Sequence, residues 1–125
     1  MDTTVNIRYM VNDVTAAVEF YTKYLGFTVL TNYAPAFCDV KRGNLRLLLS
    51  GKESSAGRKM PDGTIPVPGG WNRFQIVVSD LESEVAKLKE QGLKFRNEII
   101  KGPGGFQILL PDPSFNLIEL FEPAR

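Results

Sequence analysis

The sequence contains no histidine among its 125 residues. Imidazole is the commonest metal ligand in proteins and the usual general base near neutral pH. Its absence excludes a histidine-based catalytic triad, a histidine-ligated zinc site and a histidine-carboxylate iron site. Any chemistry must therefore come from carboxylates, amines, hydroxyls, a single thiol or a bound cofactor.

Three further shortages narrow the class of protein. The one cysteine, Cys38, cannot form an internal disulfide. Because no histidine is present to activate its thiol, we expect Cys38 to pack as a small hydrophobic residue. Fifteen Lys and Arg against fourteen Asp and Glu leave a net charge of +1 with no basic run, which argues against nucleic acid as a partner. No apolar run is as long as a membrane span, and the amino terminus lacks a signal-peptide pattern. We therefore expect no membrane partner and a cytoplasmic location.

The chain does contain one pattern twice. Residues 6–26 and 71–92 each show a half-apolar strand that ends in two residues and an aspartate, then an amphipathic run, then a closing glycine. Asp13 and Asp80 are predicted helix N-caps, and Gly26 and Gly92 are predicted to end the helices. An internal repeat of this kind indicates one fold made of two similar halves. We therefore expect any site to lie where the halves meet.

Alternation of apolar and polar residues predicts the strands. In the first half they are expected over residues 5–11, 27–33, 36–41 and 45–49, and in the second over 73–78, 93–100, 106–110 and 117–121. The sequence thus predicts an α+β fold of two tandem βαβββ modules in a single domain spanning 1–125. Module 1 covers about 5–50 and module 2 about 71–122.

Residues 51–70 interrupt the repeat with a stretch rich in glycine, proline and charged residues. A connection of this length inside a compact domain is either a flexible linker or a lid, and both interpretations remain open. Met60, Ile65 and Val67 are the side chains that a lid would place against a ligand.

Several separated motifs carry a family resemblance. The helix ending FYTKYLGF, followed by a second copy that closes in PDPSFNLIELFEP, resembles the vicinal oxygen chelate superfamily. That superfamily contains glyoxalase I, extradiol dioxygenases, and the fosfomycin and bleomycin resistance proteins. The resemblance covers residues 5–122. It implies an open, curled mixed sheet around a cleft, often completed by homodimerisation, so a homodimer is expected.

The resemblance also implies where a metal would be held. The superfamily's metal enzymes carry a ligand, usually histidine, on the first strand of each half, where this sequence has Asn6 and Arg73. They add Glu or Gln on the last strand, and aligning GNLRLLL with FNLIELF places Leu47 and Glu119 there. A guanidinium cannot ligate a metal, and only Glu119 remains a suitable donor. We therefore expect a member of the superfamily without metal and without another cofactor.

Arg73 and Glu119 are expected to pair, because a lone carboxylate in an apolar cleft would tend to neutralise. The pair is either purely structural or also holds a polar group of a ligand. For the other polar candidates, ligand contact and mutual hydrogen bonding are equal alternatives. Trp71 and Phe37 could form the wall for a planar ligand, but most aromatic residues in such a fold are core or dimer contacts. The predicted ligand-binding residues are Asn6, Arg8, Met10, Phe37, Leu47, Trp71, Arg73, Gln75 and Glu119.

The leading hypothesis is metal-independent binding of a small, partly apolar or aromatic molecule in the cleft, as in the bleomycin-resistance type. The alternative is a metal-independent isomerase or lyase in which Glu119 removes a proton beside a carbonyl while Arg8 or Arg73 stabilises the oxyanion. A metal-dependent, glyoxalase-like lyase or dioxygenase is the third hypothesis. The near-neutral charge argues against a strongly cationic drug as the ligand.

Overall fold

The computed structural model describes residues 4–125, so the first three residues of the predicted domain lie outside the described range. The chain divides into two compact units. The first comprises the chain up to Gly69 together with Pro113–Phe115, and the second comprises Gly70–Asp112 and Asn116–Arg125. The division therefore falls at the end of the predicted linker, with one short segment of the second repeat assigned to the first unit.

The first unit has the element order βαβββ. Strand β1 (Val5–Met10) precedes helix α1 (Val14–Tyr24), which is followed by β2 (Thr28–Tyr33), β3 (Phe37–Arg42) and β4 (Leu45–Ser50). The strands form one open sheet in the order β1-β4-β3-β2, in which β1 and β4 are parallel and the other pairs are antiparallel.

The second unit repeats this arrangement. It contains β5 (Arg73–Val77), α2 (Leu81–Glu90), β6 (Ile100–Gly102), β7 (Gly105–Pro111) and β8 (Leu117–Pro123). The sheet order is β5-β8-β7-β6, again with a parallel pair, β5 and β8, between the first and last strands. The predicted α+β fold of two βαβββ modules is thus confirmed. Neither helix of the described residues is long and apolar enough to cross a membrane.

Both helices begin at the predicted aspartates. The Asp13 carboxylate accepts a hydrogen bond from the Ala16 amide at 3.0 Å, and that of Asp80 accepts from the Ser83 amide at 3.1 Å. Each aspartate thereby satisfies one of the amides that the first helical turn leaves free. The predicted closing glycines have positive φ, 71° at Gly26, as a residue just beyond a helix end often does.

One face of each sheet packs on its helix and forms the core. In the first unit the aromatic residues of α1 fill this layer, with the rings of Phe20 and Tyr21 edge to face at 5.1 Å and Tyr21 against Phe27 at 5.5 Å. In the second unit Leu81, Val85 and Leu88 are the buried residues of α2. The opposite face of each sheet carries polar side chains.

The strand predicted over residues 93–100 is wrong over most of its length, since β6 begins only at Ile100. Before that point the chain runs beside β7 with isolated contacts. The Arg96 amide donates to the Leu109 carbonyl at 2.9 Å, and the side chain of Asn97 accepts from the Leu109 amide at 3.0 Å. Because an asparagine side chain takes the place of a backbone carbonyl, a regular ladder does not form here.

The start of the 51–70 segment is packed tightly onto the first unit. The Gly51 amide donates to the Ala36 carbonyl at 2.8 Å. Ser54 caps a single 3-10 turn, Ser55–Gly57, and its hydroxyl accepts a hydrogen bond from the Gly57 amide. A Cβ atom at Gly57 would overlap the carbonyl oxygen of Gly51 and lie 2.7 Å from the Cα of Lys52. Only glycine fits, so this turn fixes the backbone at Lys52.

Gly57→Ala is expected to lower the free energy of unfolding by about 1 to 3 kcal/mol, because the added methyl group must displace backbone rather than a flexible side chain. Urea denaturation followed by circular dichroism measures the change. Gly102→Ala is the control, since a Cβ there would meet only a carbonyl oxygen at 4.0 Å and φ is not positive. Equal stability of the two variants would contradict the packing described for the turn.

Candidate functional site

The helix-free face of the second sheet gathers three of the predicted site residues. Arg73 and Gln75 alternate with Phe74 and Ile76 along β5, and the two apolar residues are buried toward α2. In the parallel register Gln75 lies opposite Glu119 of β8. Because paired residues of neighbouring strands point to the same face, the three polar side chains meet on the side away from the helix.

Glu119 is the centre of this cluster. The Nε and Nη2 atoms of Arg73 both donate to its Oε1 at 3.0 Å, and Nε2 of Gln75 donates to its Oε2 at 2.6 Å. The side-chain amide of Gln107, with its nitrogen directed at Glu119, donates to Oε2 at 3.1 Å. The side chain of Glu119 is 9% exposed and that of Arg73 is 31% exposed. The predicted pair of Arg73 and Glu119 therefore forms part of a larger network.

The network limits what Glu119 can do chemically. A carboxylate offers about four lone-pair positions on its two oxygens, and here the Arg73 fork and two amides direct four donors at them. A general base needs a free lone pair within hydrogen-bond reach of the proton that it removes. Glu119 would have to release a donor before it could act as one, which disfavours the proton-abstraction alternative.

Trp71 lies at the edge of the same cluster. Its backbone carbonyl accepts a hydrogen bond from Nη1 of Arg73 at 3.3 Å, and the guanidinium of Arg96 stacks over its ring at 4.0 Å from the centroid. The side chain is still 63% exposed, so an aromatic surface remains open to solvent. Arg96 was not predicted as a site residue, because the strand assigned to its segment gave no sign that its side chain would reach the indole.

The helix-free face of the first sheet carries Asn6, Arg8 and Met10 of β1. The register places Arg8 opposite Leu48 and Met10 opposite Ser50 of β4. Nη1 of Arg8 donates to the Ser50 hydroxyl at 2.9 Å, whereas Asn6 is exposed. The predicted residue Phe37 of β3 is half-buried and lies opposite Ser50 of β4, so it shares this face.

A second buried carboxylate on this face was missed by the sequence prediction. Asp39 of β3 pairs with Arg46 of β4, with Nε to Oδ2 at 2.7 Å, and its side chain is 3% exposed. Its Oδ1 also accepts from the Thr31 amide at 2.8 Å, at a position where the register between β2 and β3 shifts. The one available signal was an aspartate inside the otherwise apolar start of β3.

The structure corrects the position assigned to Leu47. Leu47 is fully buried and lies opposite Ile7 and Val40, on the side of the sheet that faces α1. The residue of β4 that corresponds to Glu119 is Leu48, because Arg8 pairs with Leu48 as Gln75 pairs with Glu119. The sequence alignment was offset by one residue, and such an offset moves a side chain to the opposite face of a strand.

The first unit also contains a pocket of about 350 Å³ at the end of β1. Met10 contributes from the sheet, and Ile65 and Val67 contribute from the 51–70 segment. The complete lining consists of Met10, Val11, Asn12, Lys52, Ile65, Pro66, Val67 and Pro68. Two of the three side chains predicted for a lid therefore lie beside a cavity, whereas Met60 does not line it.

Cys38 offers no reactive nucleophile. Its side chain is buried in the sheet, and burial together with the neighbouring Asp39 raises the pKa of the thiol to about 11. Because the thiolate is the nucleophilic form, the thiol stays protonated and unreactive near neutral pH. The structural position agrees with the small hydrophobic residue that the sequence predicted.

The side chains do not fit the metal site of the related enzymes. In the first unit the corresponding positions hold the amide of Asn6 and the apolar Leu48. In the second unit Arg73 offers only donors, and Glu119 already accepts from it. Within residues 4–125, no three His, Cys, Asp or Glu side chains come together as a metal site requires.

Two four-stranded mixed sheets, each with a crossover helix, define the class of fold, and sequence comparison assigns the family. The profile of the Glyoxalase/Bleomycin resistance protein/Dioxygenase superfamily matches residues 3–120. The chain belongs to this superfamily, which confirms the resemblance found in the sequence. No curated protein matches the chain.

Solved structures of similar fold include a lyase and an antibiotic-binding protein. A lactoylglutathione lyase from Agrobacterium tumefaciens is 19% identical with a TM-score of 0.75, and the alignment covers 98% of this chain and 94% of the lyase chain. The antibiotic-binding protein TnmS3 from Streptomyces is 23% identical with a TM-score of 0.74, and the alignment covers 99% of this chain and 98% of TnmS3. A superfamily member from Sphaerobacter thermophilus is 22% identical with a TM-score of 0.76, covering 98% of both chains. At these identities the similarity establishes the fold alone.

Glu119→Gln is expected to lower the free energy of unfolding by on the order of 2 to 4 kcal/mol, because it leaves the partly buried Arg73 without its counter-charge. Arg73→Met combined with Glu119→Leu is expected to recover much of this loss, since neither charge is then left unpaired. Chemical denaturation of the two single variants and the double variant gives the coupling energy. Small and additive effects would show that the pair contributes little to stability.

Proposed function

We propose that the protein binds a small, partly apolar or aromatic molecule without using a metal, and that it does so in the cytosol. The observation that carries this proposal is the saturated carboxylate of Glu119. A residue that could serve as a metal ligand instead accepts hydrogen bonds from Arg73, Gln75 and Gln107. The position of the ligand between the two halves stays a prediction from the sequence.

The same cluster supplies a surface suited to a planar ligand. The exposed indole of Trp71 provides an aromatic face, and the Arg96 guanidinium that stacks on it adds a cation at its edge. Arg73 and Gln75 are held in place by Glu119 and so lose little conformational entropy when a ligand contacts them. Preorganised polar groups beside an open aromatic ring favour binding over catalysis, because none of them has a free lone pair suited to proton removal.

Metal independence is tested on the purified protein by elemental analysis and ligand binding together. Fluorescence of Trp71, the one tryptophan in the chain, reports binding of small aromatic compounds. We expect well under one transition metal per chain after dialysis and quenching that EDTA leaves unchanged. The Arg73→Met, Glu119→Leu double variant is expected to bind about tenfold more weakly, because the preorganised donor is lost. One metal per chain with binding lost to EDTA would overturn the proposal.

We further propose that the protein is a homodimer. Exposed apolar side chains on the edge strands support this proposal, since Val5 of β1 and Val29 and Leu30 of β2 are all more than 40% exposed. Burying such residues in an interface of the usual size would remove apolar surface from water.

Light scattering coupled to size-exclusion chromatography is expected to give twice the mass of one chain, 13.9 kDa, at micromolar concentration. Leu30→Lys on the exposed β2 strand is expected to shift the equilibrium toward monomer, because it places a charge in an apolar interface. Ser83→Lys on the solvent side of α2 serves as the control. A monomer at all concentrations tested would contradict this assembly.

A further inference from the structure

We propose that the pocket in the first unit selects small amphipathic anions, with an apolar body and a carboxylate, sulfonate or similar acidic group. This inference rests on the proposed function, because it assumes that the protein binds a small molecule, and it adds the charge of the ligand. It concerns the cavity of about 350 Å³ at the end of β1, whose ligand chemistry was not predicted from the sequence. That volume falls in the range of small-molecule sites.

The pocket wall is apolar with one charged residue. The apolar surface comes from Met10, Val11, Ile65, Val67 and two prolines. Asn12, which has a side-chain amide, adds a polar residue to the lining. Lys52 is the one charged side chain of the lining, which contains no carboxylate. An apolar molecule with a negative end is complementary to this arrangement, whereas a cation would be repelled.

Lys52 is held in position by its backbone and left free at its ammonium group. The hydrogen bond from Gly51 to Ala36 and the close packing of Gly57 fix the chain on both sides of it. Among residues 4–125 the ion pairs within 4.0 Å are Arg46 with Asp39 and Arg73 with Glu119, so no carboxylate neutralises Lys52 there. The ammonium group is available to an acidic ligand.

Arg8 adds a second cation on the same side of the sheet. It lies two residues before Met10 on β1, which places the two Cα atoms roughly 7 Å apart with both side chains on one face. Its one described partner is the neutral hydroxyl of Ser50 at 2.9 Å. A guanidinium without a carboxylate partner raises the local positive potential at this end of the strand.

The carboxylates on the helix-free faces cannot reverse this preference. Asp39 and Glu119 each already form an ion pair with an arginine, and their side chains are 3% and 9% exposed. The pocket lining therefore offers a cationic ligand no carboxylate, whereas it offers an anionic ligand the ammonium group of Lys52, and Arg8 lies nearby on β1 without a carboxylate partner. The charges of the lining thus favour a negatively charged ligand.

The test uses two fluorescent probes that share one aromatic skeleton. 1-Anilinonaphthalene-8-sulfonate carries a sulfonate, and N-phenyl-1-naphthylamine lacks it. Lys52→Met is expected to weaken binding of the sulfonate about fivefold and to leave the neutral probe within about twofold, because it removes a partly exposed charge and keeps an apolar stem. Lys59→Met, in the same segment but outside the pocket, is the control and is expected to change neither affinity.

The pocket itself is tested separately by Ile65→Ser combined with Val67→Ser, which is expected to weaken both probes because apolar wall is lost. If this variant weakens both probes but Lys52→Met does not discriminate between them, the anion preference is wrong while small-molecule binding stands. If it changes neither probe, the pocket is not the site and the inference fails. The Trp71 titration then judges the proposed function independently. Thermal denaturation of each variant verifies that it is folded.

Discussion

The burial of one carboxylate organises the polar face of the second unit. A charged group with so little solvent contact is tolerated only when its lone pairs are satisfied, and Glu119 meets that condition through Arg73, Gln75 and Gln107. The parallel pairing of β5 with β8 makes this possible, because it sets Gln75 directly opposite Glu119. The arrangement uses the carboxylate as an acceptor that holds donors in place.

The two units share a backbone plan but satisfy their buried carboxylates differently. In the second, Glu119 on the last strand is bound by an arginine from the first strand. In the first, Asp39 on the third strand is bound by Arg46 on the last, and it also accepts the amide that the β2 bulge leaves free. Arg8 is thereby left without an acidic partner among the described residues. This difference leaves a guanidinium without a carboxylate partner on the polar face of the first unit.

The segment between the repeats contributes more than a connection. Its first turn is packed so closely that only glycine fits at position 57, whereas Ile65 and Val67 remain largely exposed beside the pocket. That this segment covers a ligand stays a prediction, and its packed start with exposed apolar residues beyond it is the observation that supports it. It also explains how Lys52 is positioned, since the turn packs directly on its backbone.

The sequence by itself determined the repeat, the order of elements and the helix ends. These depend on local chemistry: alternating apolar residues, an aspartate that caps amides three residues away, and a glycine where φ turns positive. The pairing of Arg73 with Glu119 also followed, because the repeat placed both residues on strands of one module and opposite charges in an apolar setting attract.

Only the tertiary structure decided the register and the neighbours that the register creates. A shift of one residue exchanged Leu47 for Leu48 on the polar face, and sequence pattern could not distinguish two leucines in an apolar run. The stacking of Arg96 on Trp71, the pairing of Asp39 with Arg46 and the pocket around Lys52 depend on contacts between segments far apart in the chain or on irregular backbone. Such contacts leave no periodic signal, because they arise only when strands are aligned and loops are packed.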